Sequence, residues 1–356
     1  MAFEVHDSND IQISQTRALS LNIRLSISLI HLSCFLLLGI GPRADASEIS
    51  PFYTRNQSPF IHIFGFPTAQ PGTLVPFEQV ETRAIFEVIN NYTRDLRTRQ
   101  RIVIDGETYR GTLQFRWGMA KKLEAGIDLA YLSHNQGFLD SFIENWHDIF
   151  GFSNKKRQKF QRNQLLYSIN SYQAKDIYVH QHEAGPGDLL LSLAFPLSTV
   201  KGGASTAVAL RTGLKLPTGN SETLHGSGGT DLYLSLNASD KAIEILWPLN
   251  FFGGLGLLMT GNADILEKQQ RHQIFFGNLG IGGHFGKWLD LKLQIDMHSP
   301  FFNNPAQQLG VFSSQLIMGG TLNLPQKFFM DLAVSEDLIK DTAPDLLFHI
   351  AVRRLF

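Results

Sequence analysis

The chain has 356 residues and a formal net charge of −1, which gives no reason to expect a nucleic-acid partner. Charged residues make up only 18%, against 27 Phe and 31 Gly, a mix that suits strands with broad apolar faces and many tight turns. Cys34 is the only cysteine, so a disulfide framework is excluded.

The first expected element is a targeting segment. Arg24 precedes the apolar run "LSISLIHLSCFLLLGI", which is short for a membrane-spanning helix, and the small-x-small pattern "ADA" follows at Ala44 to Ala46. A signal peptide over residues 1–46, removed on export, is the reading adopted. The alternatives are an N-terminal anchor or a lipid-modified Cys34, for which "HLSC" is a poor site. The long polar stretch before Arg24 points to a start downstream of Met1. Next, Ser47 to Glu81 is apolar yet interrupted by prolines, so it cannot form a continuous strand. Stretches such as "SPFIHIFGF" would be costly to leave in water, so this segment is expected to pack inside the fold as a plug, the alternative being packing against a periplasmic partner.

From Thr82 onward one unit recurs: an alternating segment, a short turn, a second alternating segment and a longer loop. In "ETYRGTLQFRW", Tyr109, Leu113, Phe115 and Trp117 share one face while Arg110, Thr112, Gln114 and Arg116 share the other. Strands are predicted at Thr82–Thr93, Glu107–Trp117, Leu123–His134, Asp188–Phe195, Thr206–Leu216, Asp231–Asn237 and Ile243–Thr260. Five more follow at Gln273–Phe285, Trp288–His298, Ser313–Leu324, Lys327–Ser335 and Leu346–Phe356. Most come near the roughly 9–11 residues that a tilted strand needs to cross a bilayer. Pro248 and three glycines interrupt the seventh.

A soluble sandwich would also alternate, but loop lengths discriminate. The connections "GMAKK", "ASDKA", "GK" and "PQ" are short, whereas those on the opposite side are generally longer. Short turns on one side and long loops on the other mark an outer-membrane barrel. The predicted fold is therefore all-β: a transmembrane antiparallel barrel of about 12 strands with a luminal N-terminal segment. An even strand count returns the C-terminus to the short-turn side. There "LLFHIAVRRLF" carries a strand rhythm to the last residue, with Phe348, Ile350, Val352 and Phe356 on one face. A closed barrel needs this strand to seal its edge. The same residues form a candidate signal for the barrel assembly machinery, although Arg354 stands where an apolar residue is usual.

The segments "RNQSPF" at Arg55 to Phe60, "FLDSFIENWHDIFG", "GPGDLLLSLAF" and "LKLPTG" resemble an uncharacterised family of Gram-negative outer-membrane proteins, the domain of unknown function DUF3187. The resemblance spans most of the mature chain. It implies outer-membrane localisation after passage through the periplasm and a barrel fold, and it brings no catalytic residues to carry over.

Alternation assigns Arg83, Glu87, Arg110, Arg116, Glu124, Asp128, Arg211, Lys215, Asp290, Lys292, Asp296 and Arg353 to the lumen. Either these charges pair across strands and fill the interior, or they line a conduit that selects solutes. In the loop over residues 135–187, Phe138, Leu139, Phe142, Ile143, Trp146, Ile149 and Phe150 recur at helical spacing, with Gly151 as a stop. That helix could cap the mouth, fold into it, or lie on the outer leaflet. The basic run after it, with Lys155, Lys156, Arg157, Lys159 and Arg162, is either a lipopolysaccharide contact or a solvated loop. "NQLLYSINSYQAKDIYVHQ" reads as a hairpin beyond the membrane.

Signals for chemistry are weak. His225 and Ser227 place an imidazole near a hydroxyl, but no carboxylate partner is evident. His180, His182 and Glu183 could approach a metal, yet further ligands cannot be identified. No cofactor, metal or catalytic residue is predicted. The expected function is an outer-membrane, porin-like channel for small solutes, apolar ones among them; the alternatives are a lipid hydrolase or a surface protein that binds a partner through its long loop.

Overall fold

The computed structural model describes residues 49–97, 100–150, 161–171, 177–198, 206–240, 243–244 and 248–356. The expected signal peptide with Cys34, and Lys155, Lys156, Arg157 and Lys159 of the basic run, lie outside the described residues.

In chain order the strands are β1 (Val80–Arg97), β2 (Gln100–Ala120), β3 (Leu123–Asn135), β4 (Leu166–Ser171), β5 (Ile177–Val179), β6 (Glu183–Pro186), β7 (Leu189–Ser198) and β8 (Thr206–Leu216). They continue as β9 (Asp231–Asp240), β10 (Ile243–Glu244), β11 (Pro248–Thr260), β12 (Gln273–Phe285), β13 (Leu289–His298), β14 (Ser313–Leu324), β15 (Phe328–Asp337) and β16 (Leu346–Leu355). Helix α1 (Asp140–Phe150) and the short α2 (Gln307–Gly310) complete the elements. Each barrel strand pairs antiparallel with its neighbours in the ring β1-β2-β3-β7-β8-β9-β11-β12-β13-β14-β15-β16. The ring closes where β16 returns to β1, from Glu81↔Leu355 to Asn90↔Leu346. At the very end the Phe356 amide donates to the Val80 carbonyl at 2.8 Å, and the Val80 amide donates back at 3.3 Å. The apolar terminus thus finishes the last ladder, and the ring of twelve strands closes on itself.

The strand pattern explains itself through its two solvents. Large apolar side chains such as Phe86, Leu113, Tyr131, Leu255, Phe275 and Leu279 are exposed on the outer wall. Polar side chains on the same strands, among them Glu87, Thr112, Glu124, Asn237 and Asn278, are buried within. Trp117, Trp288 and Phe356 stand exposed toward the short-turn end, where amphipathic rings favour the membrane boundary. Arg354 lies over the rings of Phe328 and Phe356, at 4.7 and 4.6 Å, so its departure from the apolar pattern sits at that boundary.

Two regions differ from the sequence expectation. The expected seventh strand is divided: Ile243 and Glu244 fold back on Leu249 and Pro248, and the crossing strand starts at Pro248. Proline has no amide to donate, so it is tolerated as a strand's first residue. The stretch Arg94–Gly106, expected as a loop, is ladder throughout its described length, so β1 and β2 reach 18 and 21 residues and project beyond the bilayer. Its many charges obscure the rhythm of Ile102 and Ile104. Those two side chains are buried beneath a hairpin of β4 and β5, with β4 paired to Gln100–Asp105 of β2.

Helix α1 lies against the outside of the barrel rather than in its mouth. Leu139 and Ile143 pack on Leu346, Val88, Val334 and Phe348, and the Phe142 and Phe348 rings are 5.8 Å apart. The Glu107 carboxylate accepts the amides of Phe138 at 2.8 Å and Leu139 at 2.6 Å, satisfying donors just before the first helical turn. Gly137 sits at φ +79°, where any Cβ would strike that carboxylate. Arg162 forms an ion pair with Glu144 and ties the chain after the helix back onto it.

Candidate functional site

The interior is occupied by residues 49–79. The prolines at 51, 59, 67, 71 and 76 keep this stretch from pairing as a strand, so the wall must satisfy its main chain with side chains. The segment rises along β13: the Phe52 amide donates to Gln294 at 2.9 Å, and Asn56 Nδ2 contacts His298 at 2.9 Å. It turns over residues 58–64 at the long-loop end and descends beside β8 and β9. There the Gly65 amide donates to Asp231 at 2.7 Å, the Gly72 amide to Ser239 at 2.9 Å, and the Val75 amide to Glu124 at 2.7 Å. At Gly72 the wall backbone of Ala207 and Ser239 leaves no room for a side chain.

The structure places the lumen candidates as follows. Arg83, Glu87, Arg116, Glu124, Arg211, Lys215, Asp290, Lys292 and Asp296 are buried, while Arg110, Asp128 and Arg353 are half-buried. Several act on the luminal segment as well as on each other. Glu124 accepts from Arg116 at 2.6 Å and Arg211 at 2.7 Å, and Arg211 also donates to the carbonyls of Pro71 and Thr73. Lys292 bridges Asp331 at 2.9 Å and the Ser50 carbonyl at 3.0 Å, beneath the Phe52 ring. Lys215 pairs with Asp188 at 2.7 Å and Asp231 at 3.1 Å, and donates to the Ile63 carbonyl at 3.1 Å. Glu87 accepts from Thr54 at 2.6 Å and Gln57 at 2.8 Å, and Tyr53 donates its hydroxyl to Asp128. Asp290 contacts His284 at 2.7 Å, and Gln294 donates to Asp296 at 2.9 Å.

Four acidic partners were missing from the sequence-derived set. Glu81 holds Arg116 at 3.2 Å, Arg83 at 3.4 Å and Arg353 at 3.5 Å; Asp331, Asp188 and Asp231 hold the two lysines. Asp331 has the inward parity of its strand and was open to the same alternation argument. Asp188, at the start of the expected fourth strand, shares the inward parity of Ser192 and Ala194 and was open to that argument too.

The mouth at the long-loop end is apolar. Phe60, Ile61, Ile63, Phe64 and Phe66 of the luminal segment pack with Phe301 and Phe302, Leu224, Ile265 and Leu266, and the wall residues Tyr233, Leu258 and Ile274. The Phe64 ring stands 5.1 Å from Phe301 and 5.9 Å from Phe302. Below this seal, among the described residues, chambers of about 40 Å³ and 10 Å³ lie between segment and wall. The larger has room for roughly three waters and the smaller for one.

The catalytic and metal candidates do not assemble. The His225 ring stacks on His134 at 5.1 Å, and its Nδ1 contacts Thr223 at 3.0 Å. Burial lowers the pKa of this loop imidazole, with Glu183 opposing the shift. Ser227 is fully buried, and its hydroxyl accepts from Lys215, whose ammonium the two aspartates hold. His225 and Ser227 thus address different partners, and among the described residues no imidazole is placed to take the serine proton. His180 faces Tyr178 at 4.5 Å, whereas His182 contacts Ser133 at 3.1 Å, so the two histidines part. The terminal residues Phe348, Ile350, Val352 and Phe356 keep their common outward face, with Phe348 lying under α1.

The model of the family described as Protein of unknown function (DUF3187) matches residues 26–356. No curated protein matches the sequence significantly. Among solved structures, the COG4313 outer membrane channel from Pseudomonas putida F1 is similar at TM-score 0.51 and 10% identity, over 79% of this chain and 97% of that one. The NanC porin aligns at TM-score 0.40 and 7% identity, over 78% and 98% of the two chains. The Pseudomonas putida toluene transporter TodX aligns at TM-score 0.37 and 9% identity, over 86% and 94%. The first of these likenesses bears on fold and identifies the ring as an outer-membrane type of barrel.

Proposed function

The chain belongs to the DUF3187 family, and from that premise we propose that it is a plugged outer-membrane channel of a Gram-negative cell, which passes small solutes when the luminal segment moves. One observation carries this reading. The bore is filled by a separate, non-strand segment that the wall clasps through single hydrogen bonds, several of them from charged side chains, and not by wall side chains alone. A barrel that had no need to open could fill its lumen with its own inward residues, as small barrels do. Here displacement of the segment would leave a polar lining of Arg83, Glu87, Arg110, Arg116, Asp128 and Asp296. The apolar surface at the mouth would give a lipophilic solute its first contact. The separation of His225 from Ser227 supports a transport protein over a lipid hydrolase. Export through the periplasm and insertion by the barrel assembly machinery, with the Phe356 strand as its signal, belong to the same proposal.

Planar-bilayer recording tests it. The intact protein should show little steady conductance, and a chain beginning at Val80, shown to fold by heat-modifiable mobility, should conduct. With both signs of charge in its lining it should discriminate weakly between cations and anions. Neutralising Asp128 and Asp296 together should tilt that channel toward anions. A folded truncation that stays silent would overturn the channel reading.

A further inference from the structure

We infer that the larger luminal chamber is a binding site for a small oxyanion, held between Arg55 of the luminal segment and Arg110 of β2. Both side chains line the chamber, and Arg55 is 93% buried by its 7% exposure. A guanidinium has five N–H donors and keeps its charge under all ordinary conditions. Arg55 donates to the His62 carbonyl at 3.1 Å, and Arg110 donates Nε to Thr112 at 3.3 Å. Among the described residues neither forms an ion pair, although six other lumen cations do.

The carboxylates around the chamber are turned to other donors. Glu87 serves Thr54 and Gln57 and contacts His349 at 3.2 Å. Asp128 serves Tyr53, and Gln114 at 3.1 Å. Asp188 holds Lys215 and accepts the amides of Gly219 at 2.8 Å and Ser227 at 3.3 Å. Two inward guanidiniums therefore face one small space with most of their donors unspent. Glu87, Asp128 and Asp188 line the same chamber and offset part of this charge, but they leave the free donors of the two forks without acceptors, which an anion between them would supply. Guanidinium forks match planar anions with two oxygens, namely carboxylate or nitrate. A volume of about 40 Å³ admits only a few heavy atoms, which selects formate or nitrate over larger organic acids.

This inference goes beyond the channel reading, because binding is read in the intact, closed protein. The test uses the full chain in detergent micelles, at constant ionic strength set with sodium gluconate, an anion too bulky for the chamber. Replacing gluconate by sodium formate or sodium nitrate should raise the thermal unfolding midpoint along a saturating curve. Isotope-labelled formate should broaden in the NMR spectrum and be released by nitrate. Arg110→Lys keeps the charge and loses the fork, and should weaken binding by about tenfold. Arg55→Gln should abolish it, while Arg162→Gln on the surface should leave it unchanged. A midpoint that responds alike to formate, nitrate and gluconate means a general salt effect only and overturns the site. So does a saturable response that survives unchanged in Arg110→Lys. If a variant fails to fold, the wild-type competition decides: formate that is neither broadened nor displaced overturns the inference.

Discussion

The two ends of the luminal segment are held by opposite physics. At the mouth, Phe60, Phe64 and Phe66 meet Phe301 and Phe302 in a contact that excludes water and gains little from exact geometry. Toward the short-turn end, Glu124, Arg211 and Lys292 grip main-chain atoms at residues 50, 71, 73 and 75, with Arg116 holding Glu124 in place. These polar contacts are directional, and leaving any member buried and unpaired costs more than the contact contributes. The mouth is thus a non-directional apolar seal, which under the proposed channel function would re-form after a solute displaced it. The lower half is a latch with a defined register.

The largest effect that would break this contrast is expected at Glu124. Its carboxylate serves two arginines and the Val75 amide, so Glu124→Ala strands the buried Arg211, leaves Arg116 with Glu81 alone, and should cost about 3–5 kcal/mol in denaturant unfolding. A loss below about 1 kcal/mol would mean the latch contributes little. Phe64→Ala comes next. It removes a ring buried to 1% and should cost about 3 kcal/mol while letting the mouth open briefly. Its readout is short, low-frequency conductance events from the full chain, which Glu124→Gln should produce with a different salt dependence. Identical gating in the two variants would erase the distinction between seal and latch. The smallest effect belongs to neutral ties. Thr54→Val removes the 2.6 Å bond to Glu87 but leaves Gln57 in place, so about 1 kcal/mol is expected from thermal unfolding.

The strands themselves were legible because each faces two solvents, and period-two alternation records that directly. Thr206–Leu216, Gln273–Phe285 and Ser313–Leu324 occur with the predicted bounds. The sealing role of "LLFHIAVRRLF" followed from the same rhythm, and the β16 to β1 ladder is its realisation. Where charge density was high the rhythm faded, so the projecting part of β1 and β2 was missed. The partners of the inward charges were hidden for a different reason. Alternation states which way a side chain points but not its height on a neighbouring strand, and the Lys215–Asp188–Asp231 cluster depends on strand stagger.

By itself, the sequence determined the class of fold, the inward and outward faces and the presence of a proline-broken segment before the first strand. Tertiary structure alone decided that α1 lies outside the barrel, because an amphipathic face is satisfied equally by lipid, by wall or by lumen. The choice rests on Glu107, distant in sequence, capping the chain at Phe138 and Leu139, and on Leu346 completing the apolar contact. Tertiary structure also decided which charges find partners. Pairing depends on distances of a few ångströms across a closed ring, and so Lys215 is neutralised twice while Arg55 and Arg110 face a chamber together.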